Sequence, residues 1–282
     1  MKTVLVTGAT TGIGRETARQ LLGYGYRVMV HGRTLEKAQH VIEDLKKGNS
    51  SAFAEPVYAD LSVMGEVVHL AEQVRSRVSA LDVLINNAGV YEHHRRLTRD
   101  GFETTMAVNH FAPFLLTREL LELLKAAPQG RVITISSSAH DKVELKTNDF
   151  RFATALEGYV AYATSKLANV LFTIALARNL LGTSVTAYSV DPGVITTNLL
   201  QVGWGITGDP VAQGARPSVY LSTAKNLESS NGGYFVDCLP VPPSPATGDA
   251  RLVEWFWQAT EDLLEPILSA GRLPSLHSRR SG

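Results

Sequence analysis

A chain of 282 residues with 44% hydrophobic and 19% charged side chains can bury a full core, as one large α/β domain or two small ones. Lys plus Arg and Asp plus Glu each number 27, so no broad positive field exists and a nucleic-acid partner is not expected. The single cysteine, Cys238, excludes an intrachain disulfide and any multi-cysteine metal site, and fits a reducing cytoplasm.

Met1-Lys2-Thr3-Val4-Leu5-Val6 runs straight into a short β-like stretch, so neither a signal peptide nor an anchor is expected. No uninterrupted apolar run is long enough to span a bilayer. Val4-Leu5-Val6 has the fully apolar character of a strand buried on both faces of a parallel sheet. It is followed by Thr7-Gly8-Ala9-Thr10-Thr11-Gly12-Ile13-Gly14 and a helical segment, Arg15 to Gly23. Glycines at 8, 12 and 14 let the backbone turn tightly and approach a ligand closely, and they leave the helix N-terminus open to a phosphate. A plain strand-to-helix turn would use the same residues, but a strand before and a helix after favour a nucleotide. Thr10, Thr11 and Ile13 share that turn and join the glycines as candidate cofactor contacts.

Strands and helices then alternate. Arg27 to His31, Phe53 to Tyr58, Leu81 to Ile85, Arg131 to Ile135 and Ser184 to Val190 read as strands. Helical period appears over Leu35 to Lys47, Val67 to Val78, Gly101 to Ala126, Tyr159 to Leu181 and Ala212 to Thr223. This βαβ alternation specifies a parallel, doubly wound (Rossmann) sheet with helices on both faces, in a single domain over about 1–270. A short strand at Gly233 to Phe235 completes seven. The Pro-rich Leu239 to Pro245 is expected to be loop, a C-terminal helix to span about 249–268, and the tail 271–282 to fray.

Ligands in such sheets bind outside the carboxyl ends of the strands. The second strand ends Val30-His31-Gly32-Arg33, with a guanidinium where an NAD site would carry a carboxylate, so NADP(H) is expected over NAD(H). Asp60 and Leu61 follow the third strand, and Asn87, Ala88 and Gly89 the fourth. Asp60 suits an adenine amino group or a helix cap, and Asn87 a ligand or a turn. The fifth strand ends in Ser136-Ser137-Ser138, hydroxyls that can hold a substrate oxygen or merely cap a turn. Tyr162 and Lys166 stand one helical turn apart, where an ammonium would favour the phenolate and lower the tyrosine pKa, making a proton donor and acceptor. After the sixth strand, Pro192, Gly193, Val194 and Thr196 are placed to close over a flat ring. The segment at about 194–210, with Leu199, Leu200, Trp204 and Ile206, reads as a lid over an apolar ligand. His93-His94 reads as part of a solvated charged turn, and no metal-ligand spacing appears.

Taken together, Thr7-Gly8-x-x-x-Gly12-x-Gly14, Asp60, Asn86-Asn87-Ala88-Gly89, Asn109, Ser137, Tyr162-x-x-x-Lys166 and Pro192-Gly193 resemble the short-chain dehydrogenase/reductase family along nearly the whole chain. The resemblance implies a seven-stranded sheet and hydride exchange between nicotinamide and a carbonyl, or a secondary or primary alcohol, of an apolar small molecule. It implies that Tyr162 moves the proton and that Ser137 holds the substrate oxygen. Lys166 would hold the nicotinamide ribose and depress the tyrosine pKa, and Asn109 would position a water. Ser137-Ser138-Ala139-His140, Ser165 to Phe172 and Gly233 to Cys238 are most similar to the retinol dehydrogenase-like branch, which includes the WW-domain oxidoreductases. Membrane-bound retinol enzymes carry an N-terminal anchor, so its expected absence argues against a retinoid, and no WW module is expected. The loop Asp141 to Gly158 is longer than in many family members, as in that branch, and is expected at the substrate mouth. Family members often pair through their long central helices, which makes a homodimer an expectation. A non-catalytic nucleotide sensor is the rival from another class, although Ser137, Tyr162 and Lys166 are all present. An extended-type epimerase or dehydratase would space its glycines differently.

Overall fold

Alternate residues of each strand leave the backbone in opposite directions, and here both directions lead into core. In chain order the strands are β1 (Thr3–Val6), β2 (Arg27–Gly32), β3 (Ala54–Tyr58), β4 (Val83–Asn86), β5 (Arg131–Ile135), β6 (Thr186–Asp191), β7 (Tyr234–Val236) and β8 (Leu239–Val241). Val4, Val6, Val28, Val30, Ile133 and Ile135 join one hydrophobic cluster, while Leu5, Met29, Leu84 and Val132 join another on the opposite face. The computed structural model describes residues 1–47 and 52–270; the tail assigned to 271–282 lies outside the described residues.

The sheet order is β3-β2-β1-β4-β5-β6-β7-β8, and the first seven strands are parallel. Chain order reverses beside β1, which opens a crevice between the ends of β1 and β4. The doubly wound sheet is therefore as expected, with one addition. Leu239–Val241 is an antiparallel edge strand rather than loop, joined to β7 through Asp237 and Cys238. Both turn residues have positive φ, 45° and 66°, the combination of a two-residue hairpin turn that normally calls for Asn-Gly. Pro240 is tolerated because this strand is the last in the sheet.

The helices are α1 (Gly12–Gly23), α2 (Leu35–Lys46), α3 (Met64–Arg75), α4 (Thr104–Met106), α5 (Ala112–Glu119), α6 (Leu121–Ala126), α7 (Arg151–Thr154), α8 (Gly158–Asn179), α9 (Asn198–Trp204), α10 (Val211–Thr223) and α11 (Ala250–Ala270). The single helix expected over 101–126 is interrupted: Ala107–Phe111 between α4 and α5 is π-helical, and the chain breaks again at Leu120. One extra residue in that wide turn marks the position of Asn109.

α8 is apolar all round, as a helix enclosed by other elements must be. Its length and composition would suit a bilayer, but 89% of the apolar stretch is buried inside the domain. α11 covers the outer side of α5 and α8. Trp257 stacks on Phe172 at 6.0 Å and meets Phe114 at 4.7 Å, while Phe256 meets Phe152 at 5.0 Å. Beneath it His110 contacts Asn169 and Thr260, and burial pushes its pKa down to about 4. The Trp-rich C-terminal helix therefore belongs to the core, as its composition suggests.

Candidate active site

The turn between β1 and α1 is built so that backbone can pack on backbone. Gly8 has a φ of +63°, and a Cβ there would stand 2.8 Å from Cα of Ala88. A Cβ at Gly14 would collide with the Asn87 amide and the Gly8 carbonyl. The Thr7 hydroxyl accepts from the backbone N–H groups of Asn87 and Ala88 at 2.9 and 3.0 Å, and Nδ2 of Asn87 donates to the Thr7 carbonyl at 2.8 Å. The ends of β1 and β4 are thus stitched together, and the α1 N-terminus has no side-chain cap and no acidic residue in its first turn. Free N–H groups there suit a phosphate.

A cleft of about 1210 Å³ starts at this turn and runs along the carboxyl ends of the strands. It exceeds the usual room for a single drug-sized ligand and has space for a dinucleotide and a substrate. At its outer end lie Arg33 and Asp60, and at its inner end Ser137, Tyr162 and Lys166. Every residue chosen from the sequence lines this cleft except Asn109 and Thr196.

Asn109 is buried and its amide is fully engaged: Oδ1 accepts from Val90 N at 2.8 Å, and Nδ2 donates to the Val90 carbonyl and to Ser165 Oγ, each at 3.0 Å. The π-helical turn presents this amide to the loop after β4. The Thr196 hydroxyl donates to the Gly208 carbonyl at 2.8 Å and accepts from Gly208 N at 2.9 Å, so it closes the base of the segment after β6. Its neighbour Thr197 lines the cleft instead. Asp60 Oδ1 accepts from the backbone N and hydroxyl of Ser62 at 2.9 and 2.8 Å, so its turn role is realised beside its place in the cleft. Burial works to raise the Asp60 pKa, but Ser62 and the Arg33 and Arg99 guanidiniums outweigh it and the net shift is downward.

Tyr162 is enclosed by Tyr91, 5.7 Å away between ring centres, and Trp204, 5.4 Å away. Burial pushes its pKa up to about 12, opposed by the Ser137 hydroxyl and reinforced by Asp191 and Tyr159. Lys166 Nζ lies 5.3 Å from the tyrosine ring centre and donates to the Ile135 carbonyl at 3.2 Å. Its own pKa is pushed down to about 8 by burial, with Asp191 acting in the opposite sense. The sequence spacing implies a depressed tyrosine pKa; burial acts the other way and is the larger effect, so the phenol holds its proton more firmly than in water.

A hydride-transfer cleft with an enclosed Tyr–Lys pair is what the motifs anticipate, and comparison with known proteins decides the family. Residues 2–203 match the family model described as short chain dehydrogenase. The chain belongs to the short-chain dehydrogenase family. Human retinol dehydrogenase 12 is 37% identical over 272 residues, covering 93% of this chain and 86% of that protein. Among solved structures, an uncharacterized protein from Mycobacterium Paratuberculosis superposes with a TM-score of 0.77 at 31% identity, covering 94% of both chains. Landomycin C-6 ketoreductase LanV, solved with bound NADP and rabelomycin, gives 0.66 at 29% identity, covering 84% of this chain and 94% of that one. Membership makes this protein an NAD(P)-dependent oxidoreductase that takes a small alcohol or carbonyl compound.

Spacing alone does not reveal four other residues of this short-chain dehydrogenase. His31 accepts from Gly8 N at Nδ1 (3.0 Å), so Nε2 carries the proton and donates to the Ala59 carbonyl at 3.1 Å. Burial pushes its pKa down to about 4, which keeps this clamp across three strand ends neutral. His93 is not merely a solvated turn residue. Its Nε2 donates to the Val202 carbonyl in α9 at 2.7 Å, and its ring meets Tyr91 at 5.1 Å. Tyr91 in turn packs on Trp204 at 5.0 Å. Asp191 accepts from Ser138 N and Gly193 N, each at 2.8 Å, joining the serine turn to the Pro-Gly turn. An acid before Pro-Gly and an aromatic after the Asn-Asn-Ala-Gly run were the available signals.

The buried ammonium gives a stability prediction. A depressed lysine pKa means that the unfolded chain binds more protons between about pH 8 and 10.5, so Lys166 lowers stability fully below pH 8 and progressively less above it. A shift of this size corresponds to at most about 3.5 kcal/mol. Lys166→Met leaves no orphaned carbonyl, because Asn169 Nδ2 also donates to Ile135 at 3.0 Å. It should therefore raise the melting temperature of the ligand-free protein at pH 7 and narrow that gain toward pH 10. An unchanged or lower melting temperature at pH 7 would contradict a desolvated charge.

Proposed function

We propose that this short-chain dehydrogenase uses NADP(H) in preference to NAD(H), and exchanges hydride with a carbonyl or a primary or secondary alcohol on an apolar small molecule. The observation that carries this reading is one continuous cleft with Arg33 at its outer end and Ser137, Tyr162 and Lys166 at its inner end. The residues present fit a dinucleotide: glycines at 8 and 14 whose missing Cβ lets backbone pack closely, an uncapped helix N-terminus, and Gly89 in the cleft wall. When bound, the nicotinamide supplies or accepts the hydride.

In this reading the Ser137 hydroxyl holds the substrate oxygen, and Tyr162 exchanges a proton with it. Because burial keeps the phenol protonated to about pH 12, the resting form is the donor that carbonyl reduction requires. Lys166 holds the nicotinamide ribose, and Asn109 fixes the Gly89–Val90 backbone against the cleft. The segment 194–210 forms a lid, tied at its base by the Thr196 N to Asp209 O and Asp209 N to Val194 O bonds at 2.9 and 2.8 Å. Tyr159, Leu199, Trp204 and Ile206 give the inner cleft apolar walls, which supports an apolar substrate. The names retinol dehydrogenase and LanV's rabelomycin complex support the same class by similarity.

The cofactor preference has a direct test. Arg33→Ala should weaken NADPH binding by roughly tenfold to a hundredfold, the range for losing charge-assisted bonds, and leave NADH nearly unchanged. Equal losses for both cofactors, read by fluorescence titration, would remove the assignment to the 2′-phosphate.

A further inference from the structure

We propose that His140 is a positioning residue for Ser137, held as its Nδ1–H tautomer by the loop after β8 so that it fixes the serine turn; this rests on the reading of Ser137 and Tyr162 above. His140 is only 4% exposed and does not line the cleft, so it cannot act on a ligand directly. Its Nε2 lies 2.9 Å from the backbone N of Ser244, a group that can only donate. Nε2 is therefore bare and the ring proton sits on Nδ1, which donates to the Ser137 carbonyl at 2.7 Å. The backbone N–H of His140 donates to the same carbonyl at 3.0 Å.

The next peptide is gripped from the other side, since Ser138 N donates to Asp191 Oδ2 at 2.8 Å. Tyr234 connects the two grips: its ring packs on His140 at 4.7 Å and its hydroxyl donates to Asp191 Oδ2 at 3.3 Å. Ser244 leads into the turn before α11, so the C-terminal segment reaches the back of the serine turn through one imidazole. The groups that set the charge around Tyr162 are Ser137, Lys166, Tyr159 and Asp191, and those beside His140 are Tyr234, Asp141 and Lys142. The Ser137 hydroxyl is the one that draws the tyrosine pKa down, so moving the turn weakens that pull.

Two variants separate positioning from packing. His140→Asn places an amide N–H near the Nδ1 position, whereas His140→Gln places its polar end near Nε2. With decanal and NADPH, His140→Gln should lower kcat about tenfold, equivalent to one lost hydrogen bond, and leave the KM for NADPH unchanged. The rising limb of the pH profile for decan-1-ol oxidation should move to higher pH, and His140→Asn should recover most of the rate. Equal losses in the two variants, or an unmoved limb, would overturn the proposal. Tyr162→Phe, assayed alongside, keeps the failures apart: turnover in that variant sinks the site reading, whereas its inactivity with a wild-type His140→Gln sinks only the role of His140. Independently of folding or turnover in any variant, nitrogen NMR of histidine-labelled wild-type protein should show His140 protonated at Nδ1 and bare at Nε2. The opposite tautomer would overturn the proposal outright.

Discussion

Tyr162→Phe should lower kcat by about a thousandfold, the scale of a positioned general acid, while NADPH binds as before. The substitution removes one oxygen and keeps the ring between Tyr91 and Trp204, so the packing of the lid is not at issue. Tyr162 is 7% exposed, and water has little access to take over the proton transfer. Steady-state rates with decanal, set beside a fluorescence titration with NADPH, check both halves. Retained turnover would show that the phenol is not the proton donor, and lost NADPH binding would show that the ring serves the cofactor site instead.

Gly14→Ala should weaken NADPH binding by at least about a hundredfold and lower the melting temperature. The new Cβ meets the Gly8 carbonyl and the Asn87 amide, both anchored by the hydrogen bonds that join β1 to β4. Neither can move without opening the turn, and forced overpacking of this kind costs about 1–3 kcal/mol even where no ligand is involved. Gly65→Ala is the matched control, because a Cβ there meets nothing within 4 Å and α3 gains a better helix former. If Gly14→Ala bound NADPH as well as Gly65→Ala, the close approach at the glycine turn would not be what forms the phosphate site.

The alternation of apolar runs and helical periods was legible because the central strands β1, β4 and β5 are covered on both faces, leaving little polar patterning to mislead. The glycine turn, the Tyr162–Lys166 spacing and the strand-end residues could be read locally, since each uses residues adjacent in the chain. Features that depend on distant partners could not. β8 was hidden because Cys238 holds the positive-φ turn position that normally calls for glycine, and Pro240 suggested loop. The π-helical turn at Asn109 follows from its amide reaching Val90 and Ser165, a contact invisible to helical periodicity. Thr196 and Thr197 are indistinguishable in sequence, and only the bonds to Gly208 show which of them faces the lid base. The burial that raises the tyrosine pKa is not visible beside Lys166, because Tyr91 follows β4 and Trp204 ends α9, far apart in the chain.

Deuterium tracing tests the meeting of substrate and cofactor at Tyr162 most directly. NADPH carrying deuterium on its transferable position is incubated with decanal and the protein, and the alcohol is analysed by mass spectrometry. One deuterium on the carbinol carbon, formed by the wild type and not by Tyr162→Phe, is the expected result. Unlabelled alcohol, or labelled alcohol formed equally by both proteins, would contradict the account.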